Sequence, residues 1–330
     1  MSFAWRDGER LIRFGRGEAA GAVATLGGPG YLLLTTPRAA AALPAVAEAA
    51  GAVHEVPAGT VPPLAAAALE WARGEREPRI AALGGGRVID VAKAVAAALG
   101  GDARALAIPT TLSGAEMTRG HRHAEGVDEA TPRVRCALVI ADPALSASQP
   151  EPELAASALN ALGHAAEAPV TTLTNPVATL AAHQAARLIA GAYAGGTPDR
   201  DALALGAMLA GYGIDSAWYG LHHVLSQTLV RLAGIGHGAA NAIMLQHSLG
   251  ALAWRFPQQM ARLGEVLGED PQAVAARLCA LTAATTLGQL GVSGEDLQTC
   301  ADAAAARAEL DLTPPRAERG EILALYEHAL

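Results

Sequence analysis

Apolar positions fall into two regimes along the chain. Up to Ala141 they come in short compact runs: Tyr31-Leu-Leu-Leu-Thr-Thr36, Val53 to Val56, Ile80 to Leu83, Ala105 to Ile108 and Cys136 to Ala141. Runs of this length, bounded by Gly, Pro or charged residues, predict buried strands. Between them the period lengthens to that of a helix, from Pro37 to about Ala50, from Val61 to Arg73 with Pro62 and Pro63 at its opening, and from Val88 to Leu99. Strands alternating with helices predict a parallel sheet wound with helices. Leu11 to Gly27 stands outside this alternation as a short opening segment.

From Pro150 the pattern changes to long Ala- and Leu-rich amphipathic segments. Helices are predicted over Glu153 to Ala168, Pro176 to Ala192, Arg200 to Leu232, Ala239 to Trp254, Pro257 to Leu267, Pro271 to Gly291, Ser293 to Leu310 and Arg316 to Ala329, and no strand signal follows Ala141. The fold class is therefore α/β plus all-α: a Rossmann-like parallel-sheet domain over residues 1–149, then an all-helical domain over 150–330. No internal repeat or low-complexity linker interrupts either part.

Composition narrows the function classes. At 330 residues with 51% hydrophobic and 17% charged positions the chain is globular, and a net charge of -8 argues against a nucleic-acid surface. No charge-free apolar stretch is long enough for a membrane span, and the start lacks the order of a signal peptide, so a cytoplasmic protein is expected. Cys136, Cys279 and Cys300 are odd in number and far apart, which fits buried thiols in a reducing compartment. Only one of the 24 basic residues, Lys93, is a lysine. A compact ammonium kept in a chain that otherwise uses arginine invites a chemical reason.

The chemistry clusters between Gly220 and His247, which holds His222, His223, His237 and His247. Gly234-Ile-Gly236 breaks one helical pattern and Ala239 resumes another, so His237 is expected at a helix start. Upstream, Asn160 and His164 stand at i, i+4 on one helical face. These side chains either converge as a pocket wall or fill helical cores separately.

Two loops in the first half have cofactor character. Gly84-Gly-Gly-Arg-Val-Ile-Asp90-Val-Ala-Lys93 follows a strand and opens a helix, where glycines and the helix N-terminus suit a pyrophosphate or make a tight turn. Ile108-Pro-Thr110-Thr111-Leu-Ser113 leaves the next strand with hydroxyls placed for a ribose or phosphate. Strand 31–36 ends in Thr36-Pro37-Arg38, with no acid to repel a 2′-phosphate and an arginine to pair with it, so NADPH is expected to serve at least as well as NADH. Arg119, His121, Arg122 and His123 form a basic loop suited to a carboxylate substrate or to solvent.

Taken together, Gly84 to Lys93, Pro109-Thr110-Thr111, the helix from Asn160 to Glu167, and His223 with His237 resemble the iron-containing (group III) alcohol dehydrogenase superfamily in order and spacing. Thr35-Thr36-Pro37, Gly114-Ala-Glu-Met-Thr118, Ser157-Ala-Leu-Asn160-Ala and Gly220-Leu-His-His223 are similar to its maleylacetate reductase branch. The resemblance implies a dinucleotide-binding domain, a helical catalytic domain, hydride transfer in the cleft between them, and a homodimer. With that resemblance, Thr36, Gly84, Gly85, Gly86, Asp90, Lys93, Thr110, Thr111 and Ser113 are expected at the cofactor and His223 and His237 as proton donors, with His164 orienting them or sharing a metal; from the basic loop and the departure at position 227, Arg119, His121 and Gln227 are the substrate candidates.

In metal-using members the ligands match Asn160, His164, His223 and His237. The first of these is normally aspartate, and the neutral amide here predicts weak or absent iron or zinc. Gln227 stands where both branches more often have histidine, and Gly236-His-Gly-Ala-Ala-Asn241 is more similar to the alcohol dehydrogenases. The expected activity is NAD(P)H-dependent reduction of a small ketone or aldehyde, with an oxo acid such as maleylacetate as candidate. The alternatives are a metal-dependent alcohol dehydrogenase, a lyase similar to dehydroquinate synthase, and a non-catalytic dinucleotide binder.

Overall fold

A computed structural model describes residues 1–330, the side chain of Ser148 excepted. The chain divides into two compact units, Met1–Gln149 and Pro150–Leu330.

The first unit is built on a seven-stranded sheet. Its strands are β1 (Phe3–Asp7), β2 (Arg10–Phe14), β3 (Leu32–Thr35), β4 (Ala52–Glu55), β5 (Arg79–Gly84), β6 (Arg104–Pro109) and β7 (Leu138–Ala141). The helices are α1 (Ala22–Thr25), α2 (Pro37–Ala42), α3 (Pro44–Glu48), α4 (Val61–Arg73) and α5 (Gly86–Leu99). Strand order is β1-β2-β7-β6-β5-β3-β4, and every pairing is parallel except β1 with β2. Leu32, Leu33, Leu34, Ile80, Leu83 and Ile108 are buried, as expected of central strands covered on both faces. The last five strands follow the doubly wound order 2-1-3-4-5, so the winding reverses between β3 and β5 and opens a crevice at their carboxyl ends.

Two expectations change here. The opening segment is not outside the sheet, because β1 and β2 form a hairpin across Gly8, at φ 60°, and Glu9, and β2 joins β7. The helix expected from Pro37 to Ala50 is two helices. Pro44 lacks an N–H and pushes Leu43 out of the helical region, to φ -142° and ψ 67°.

The second unit is helical among its described residues: α6 (Glu151–Glu167), α7 (Pro176–Ala192), α8 (Arg200–Ala217), α9 (Leu221–Leu232), α10 (His237–Arg255), α11 (Pro257–Leu267), α12 (Pro271–Cys279), α13 (Gly294–Ala305) and α14 (Arg319–His328). Side chains of Asn175, Asp199 and Asp270 cap α7, α8 and α12, and Ser293 with Asp296 forms a capping box on α13.

Three predicted helices are shorter than their apolar pattern. The span from Arg200 to Leu232 breaks at Trp218, whose φ is 58°, before restarting at Leu221. The span from Pro271 to Gly291 stops at Cys279, where the Thr282 hydroxyl donates to the Cys279 and Ala284 carbonyls and gives the chain a turn instead of another helical bond. The span from Ser293 to Leu310 ends at Ala305 and continues as a 3₁₀ turn over Ala308–Leu312.

Candidate active site

In the first unit, Thr36, Gly84 to Gly86 and Thr110 to Ser113 follow the carboxyl ends of three neighbouring strands, β3, β5 and β6. The glycines are required by close approach rather than by backbone angle. A Cβ on Gly85 would lie 3.1 Å from the Thr111 side chain, and one on Gly86 would lie 2.8 Å from Ser113 Cβ. The two loops therefore pack on each other. Helix α5 begins at this turn with no side-chain cap and no acid in its first turn, leaving its N-terminal dipole open to an anion. The Thr110 N–H donates to Gly84 O at 3.0 Å and ties the loops together. Thr36 caps α2 through Ala39 N–H at 3.3 Å, and Arg38 is exposed on the next turn.

Lys93 lies behind this turn rather than in it. It is fully buried, and its Nζ reaches the carbonyls of Ala115, Thr118 and Gly120 at 2.8, 3.0 and 2.9 Å and Asp90 Oδ1 at 2.8 Å. With its donors committed to the loop that follows Ser113, it shapes the cofactor turn through Asp90 and that loop. The basic loop also divides. Arg119 and Arg122 are exposed, whereas His121 and His123 are buried. Val134 N–H donates to His121 Nε2 at 3.3 Å, so the ring proton sits on Nδ1, which faces Arg122 O at 3.2 Å. Burial, with the Lys93 charge second, pushes this imidazole down to about 3. His121 is thereby a neutral strut of the loop and not a cation for a substrate.

In the second unit, α6 and α9 bring His164 and His223 into face-to-face stacking, with centroids 4.6 Å apart and planes 9° from parallel. His222 meets His223 edge-on at 4.8 Å. His222 Nδ1 lies 3.0 Å from Ser248 Oγ, which donates to Met244 O at 2.6 Å, so His222 is the donor of that pair. Its ring fits because position 163 is glycine: a Cβ there would come within 2.6 Å of His222 Nε2. His237 begins α10 on the exposed surface, and Asn241, one turn on, has its Nδ2 3.2 Å from His237 Nε2.

Glu167, the last residue of α6, is not among the sequence-predicted site residues. Its carboxylate is fully buried, accepts backbone N–H groups from Gly220, His222 and His223 at 3.2, 2.7 and 3.3 Å, and lies 2.6 Å from His223 Nδ1. Burial raises its pKa, but four N–H donors on one carboxylate favour the anion. His223 thus keeps its proton on Nδ1, and its buried Nε2 has no partner among the described residues. Burial first, then the charges of His237 and Arg307, push His223 down to about 3. His164 is held well below its usual value for the same first reason. The signal for Glu167 was present: Asn160, His164 and Glu167 stand at i, i+4, i+7 on one helical face.

A second missed group borders His223. The Tyr219 ring lies 5.8 Å from it, and the Tyr219 hydroxyl donates to Glu309 Oε1 at 3.0 Å and accepts from Arg307 Nη2 at 3.0 Å. Arg307 also reaches Glu309 at 2.7 Å and Gln227 Oε1 at 3.0 Å. Gln227 is therefore held by an arginine 80 positions away, a pairing no local pattern announces.

The iron of the resembled family can be tested against these donors. Among the described residues, no three His, Cys, Asp or Glu side chains are grouped to hold an ion. A ligated metal lies in the plane of each imidazole about 2.0 Å from nitrogen, and ring planes 9° from parallel do not meet near their nitrogens. Glu167 is committed to His223 and the backbone, and Asn160 offers no charge. His164 Nδ1 and His223 Nε2 are buried without a hydrogen-bond partner among the described residues, so these two nitrogens are what the site offers a cation, and with no free carboxylate beside them the set disfavours a divalent ion.

These features coincide with a known family. The chain matches the iron-containing alcohol dehydrogenase family over residues 10–143 and the C-terminal region of the Fe-containing alcohol dehydrogenase family over residues 154–330. It belongs to that family, whose members are NAD(P)-dependent oxidoreductases. Among its relatives, the maleylacetate reductase of Rhizobium sp. strain MTP-10005 is 30% identical over 348 residues, covering 99% of this chain and 97% of its own. The crystal structure of that reductase aligns with a TM-score of 0.84 at 29% identity, covering 100% of this chain and 98% of that one. Maleylacetate reductase from Agrobacterium tumefaciens aligns with a TM-score of 0.83 at 28% identity, over 99% and 97% of the two chains.

Proposed function

We propose that the chain reduces a short oxo acid, of the class to which maleylacetate belongs, with NADPH or NADH, and that His223 exchanges the proton at the substrate oxygen. The observation that carries this reading is the His223–Glu167 pair, with Nδ1 on the carboxylate at 2.6 Å and Nε2 left with its lone pair. In the first unit, Gly84, Gly85 and Gly86 with the α5 N-terminus take the pyrophosphate, Thr36, Thr110, Thr111 and Ser113 supply hydroxyls around it, Lys93 and Asp90 hold the loop, and Arg38 favours a 2′-phosphate. A reduced nicotinamide held there would supply the hydride that the carbonyl carbon accepts. The developing alkoxide takes a proton from His223 Nε2, and Glu167 stabilises the imidazolium that must form beforehand. In the reverse direction the neutral Nε2 accepts the alcohol proton. His237, exposed at the start of α10, and His164, stacked on His223, complete the polar wall.

The earlier assignment of His223 as a resting proton donor changes accordingly, because its neutral ring must first be charged. The first unit is assigned to the dinucleotide and the second to catalysis, in a cytoplasmic homodimer. Three buried free cysteines fit the reducing compartment, and no helix among the described residues is long and apolar enough to cross a membrane. Turnover is tested by loss of reduced-nicotinamide absorbance with short oxo acids and with uncharged aldehydes, before and after dialysis against a chelator. Oxidation of NADPH by an oxo acid, unchanged by chelation, is expected. Loss on chelation with recovery on adding zinc or iron would overturn the metal-free proton exchange, and no oxidation by any carbonyl would overturn the reductase reading.

A further inference from the structure

Gln227 lies one helical turn after His223 on α9, so the two side chains share a face about 6 Å apart along the axis. Arg307 approaches the same face from beyond α13. Its side chain is 11% exposed, its Cζ sits 5.7 Å from the Tyr219 ring centroid, and Tyr219 packs 5.8 Å from His223. Glu309, 28% exposed, takes Nε and one Nη2 hydrogen of Arg307, Tyr219 takes the other Nη2 hydrogen, and Gln227 Oε1 takes one from Nη1. A guanidinium has five N–H donors. One Nη1–H of Arg307 and both amide hydrogens of Gln227 are therefore left without an acceptor among the described residues. Gln227 is half-buried and the Arg307 side chain 11% exposed, so these donors are within reach of solvent and of a ligand that displaces it.

We propose that Arg307 and Gln227 form the subsite that reads the substrate's carboxylate, a few carbons from the carbonyl whose oxygen meets His223. The proposal rests on the reductase reading and deepens it by naming the residues that choose a charged substrate. A planar guanidinium beside an amide presents donors in the geometry a carboxylate accepts. Glu309 sets the strength of the subsite by neutralising part of the Arg307 charge before substrate arrives, and Tyr219 fixes the guanidinium plane.

The test compares a short oxo acid with its methyl ester, which keeps the carbonyl and removes the charge, in the wild type and in Arg307→Met, Arg307→Lys and Glu309→Gln. Calorimetric binding of glutarate, which cannot be reduced, provides a readout that does not need turnover. For Arg307→Met, kcat/KM for the acid is expected to fall roughly 10- to 100-fold, chiefly through KM, with the ester changed less than about threefold. Arg307→Lys should recover part of the loss. Glu309→Gln should raise the preference for acid over ester, and glutarate should bind the wild type but not Arg307→Met. Equal losses for acid and ester, an unaltered acid-to-ester ratio, or glutarate binding that ignores position 307 would each overturn the proposal. A wild type that reduces esters and aldehydes but shows no preference for acids would overturn it while leaving the reductase reading intact. A wild type that reduces nothing yet binds glutarate through Arg307 would do the reverse.

Discussion

At the residue scale the site turns on the partner of one imidazole. His223 could have been a ligand, a donor or a core filler from its sequence position alone, and the carboxylate 2.6 Å from its Nδ1 decides which nitrogen keeps its lone pair. Glu167→Gln keeps the shape but removes the charge that offsets an imidazolium. Loss of a group that stabilises charge on the catalytic base is expected to lower kcat by roughly 10²- to 10⁴-fold, with the dissociation constant of NADPH unchanged. Stopped-flow turnover and a fluorescence titration of the reduced cofactor measure the two quantities. A kcat within threefold of wild type would remove Glu167 from the proton path. Lys93 carries the opposite lesson. Its rarity in the sequence pointed to the cofactor, but its five oxygen partners all belong to the protein, so the compact ammonium was kept for a buried oxygen cage that a flat guanidinium would not fill.

At the element scale, legibility followed burial. The strands at Tyr31, Ile80, Ala105 and Cys136 are buried on both faces, so their sequence is a continuous apolar run, and the sheet order they adopt places the glycine and threonine loops side by side. The edge hairpin was missed because Phe3-Ala-Trp-Arg-Asp7 exposes alternate residues and reads as polar, although Asp7-Gly8 was a usable turn signal. The second unit was overread in the other direction: Ala and Leu keep their helical period through breaks imposed by tertiary contacts. The break between α8 and α9 is one of these. A Cβ on Gly220 would lie 2.4 Å from Thr313 Cγ2, and Thr313 Oγ1 accepts the Leu221 N–H at 3.1 Å. Gly220→Ala is therefore expected to cost about 2 kcal/mol or more, seen as a lower urea midpoint. It should also disturb the backbone donors that hold Glu167. An unchanged midpoint would mean that Thr313 swings aside freely.

At the scale of the whole molecule, buried titratable groups make stability depend on pH, and the sign follows from which state binds protons. His121, His222 and His223 are pushed down to about 3 by burial, and His164 well below its usual value. Their unfolded forms take protons near 6.5, so the unfolded chain binds more protons below that pH, and the folded state loses stability as pH falls from about 6.5. Two acids oppose them. Burial raises Glu116 to about 7 and raises Glu167, so the folded chain holds protons that the unfolded one releases near 4.5. That contribution is full below the unfolded value and is lost as pH rises toward 7. Between about pH 4.5 and 6.5 the four histidines outweigh the two acids, the more so because four N–H donors restrain Glu167 from protonating. The thermal midpoint is accordingly expected to fall by roughly 5 °C or more between pH 7 and pH 5, followed by calorimetry at constant ionic strength. A midpoint that held or rose over that interval would overturn this balance, because the protons taken up by Glu116 and Glu167 would then outweigh those the buried histidines refuse.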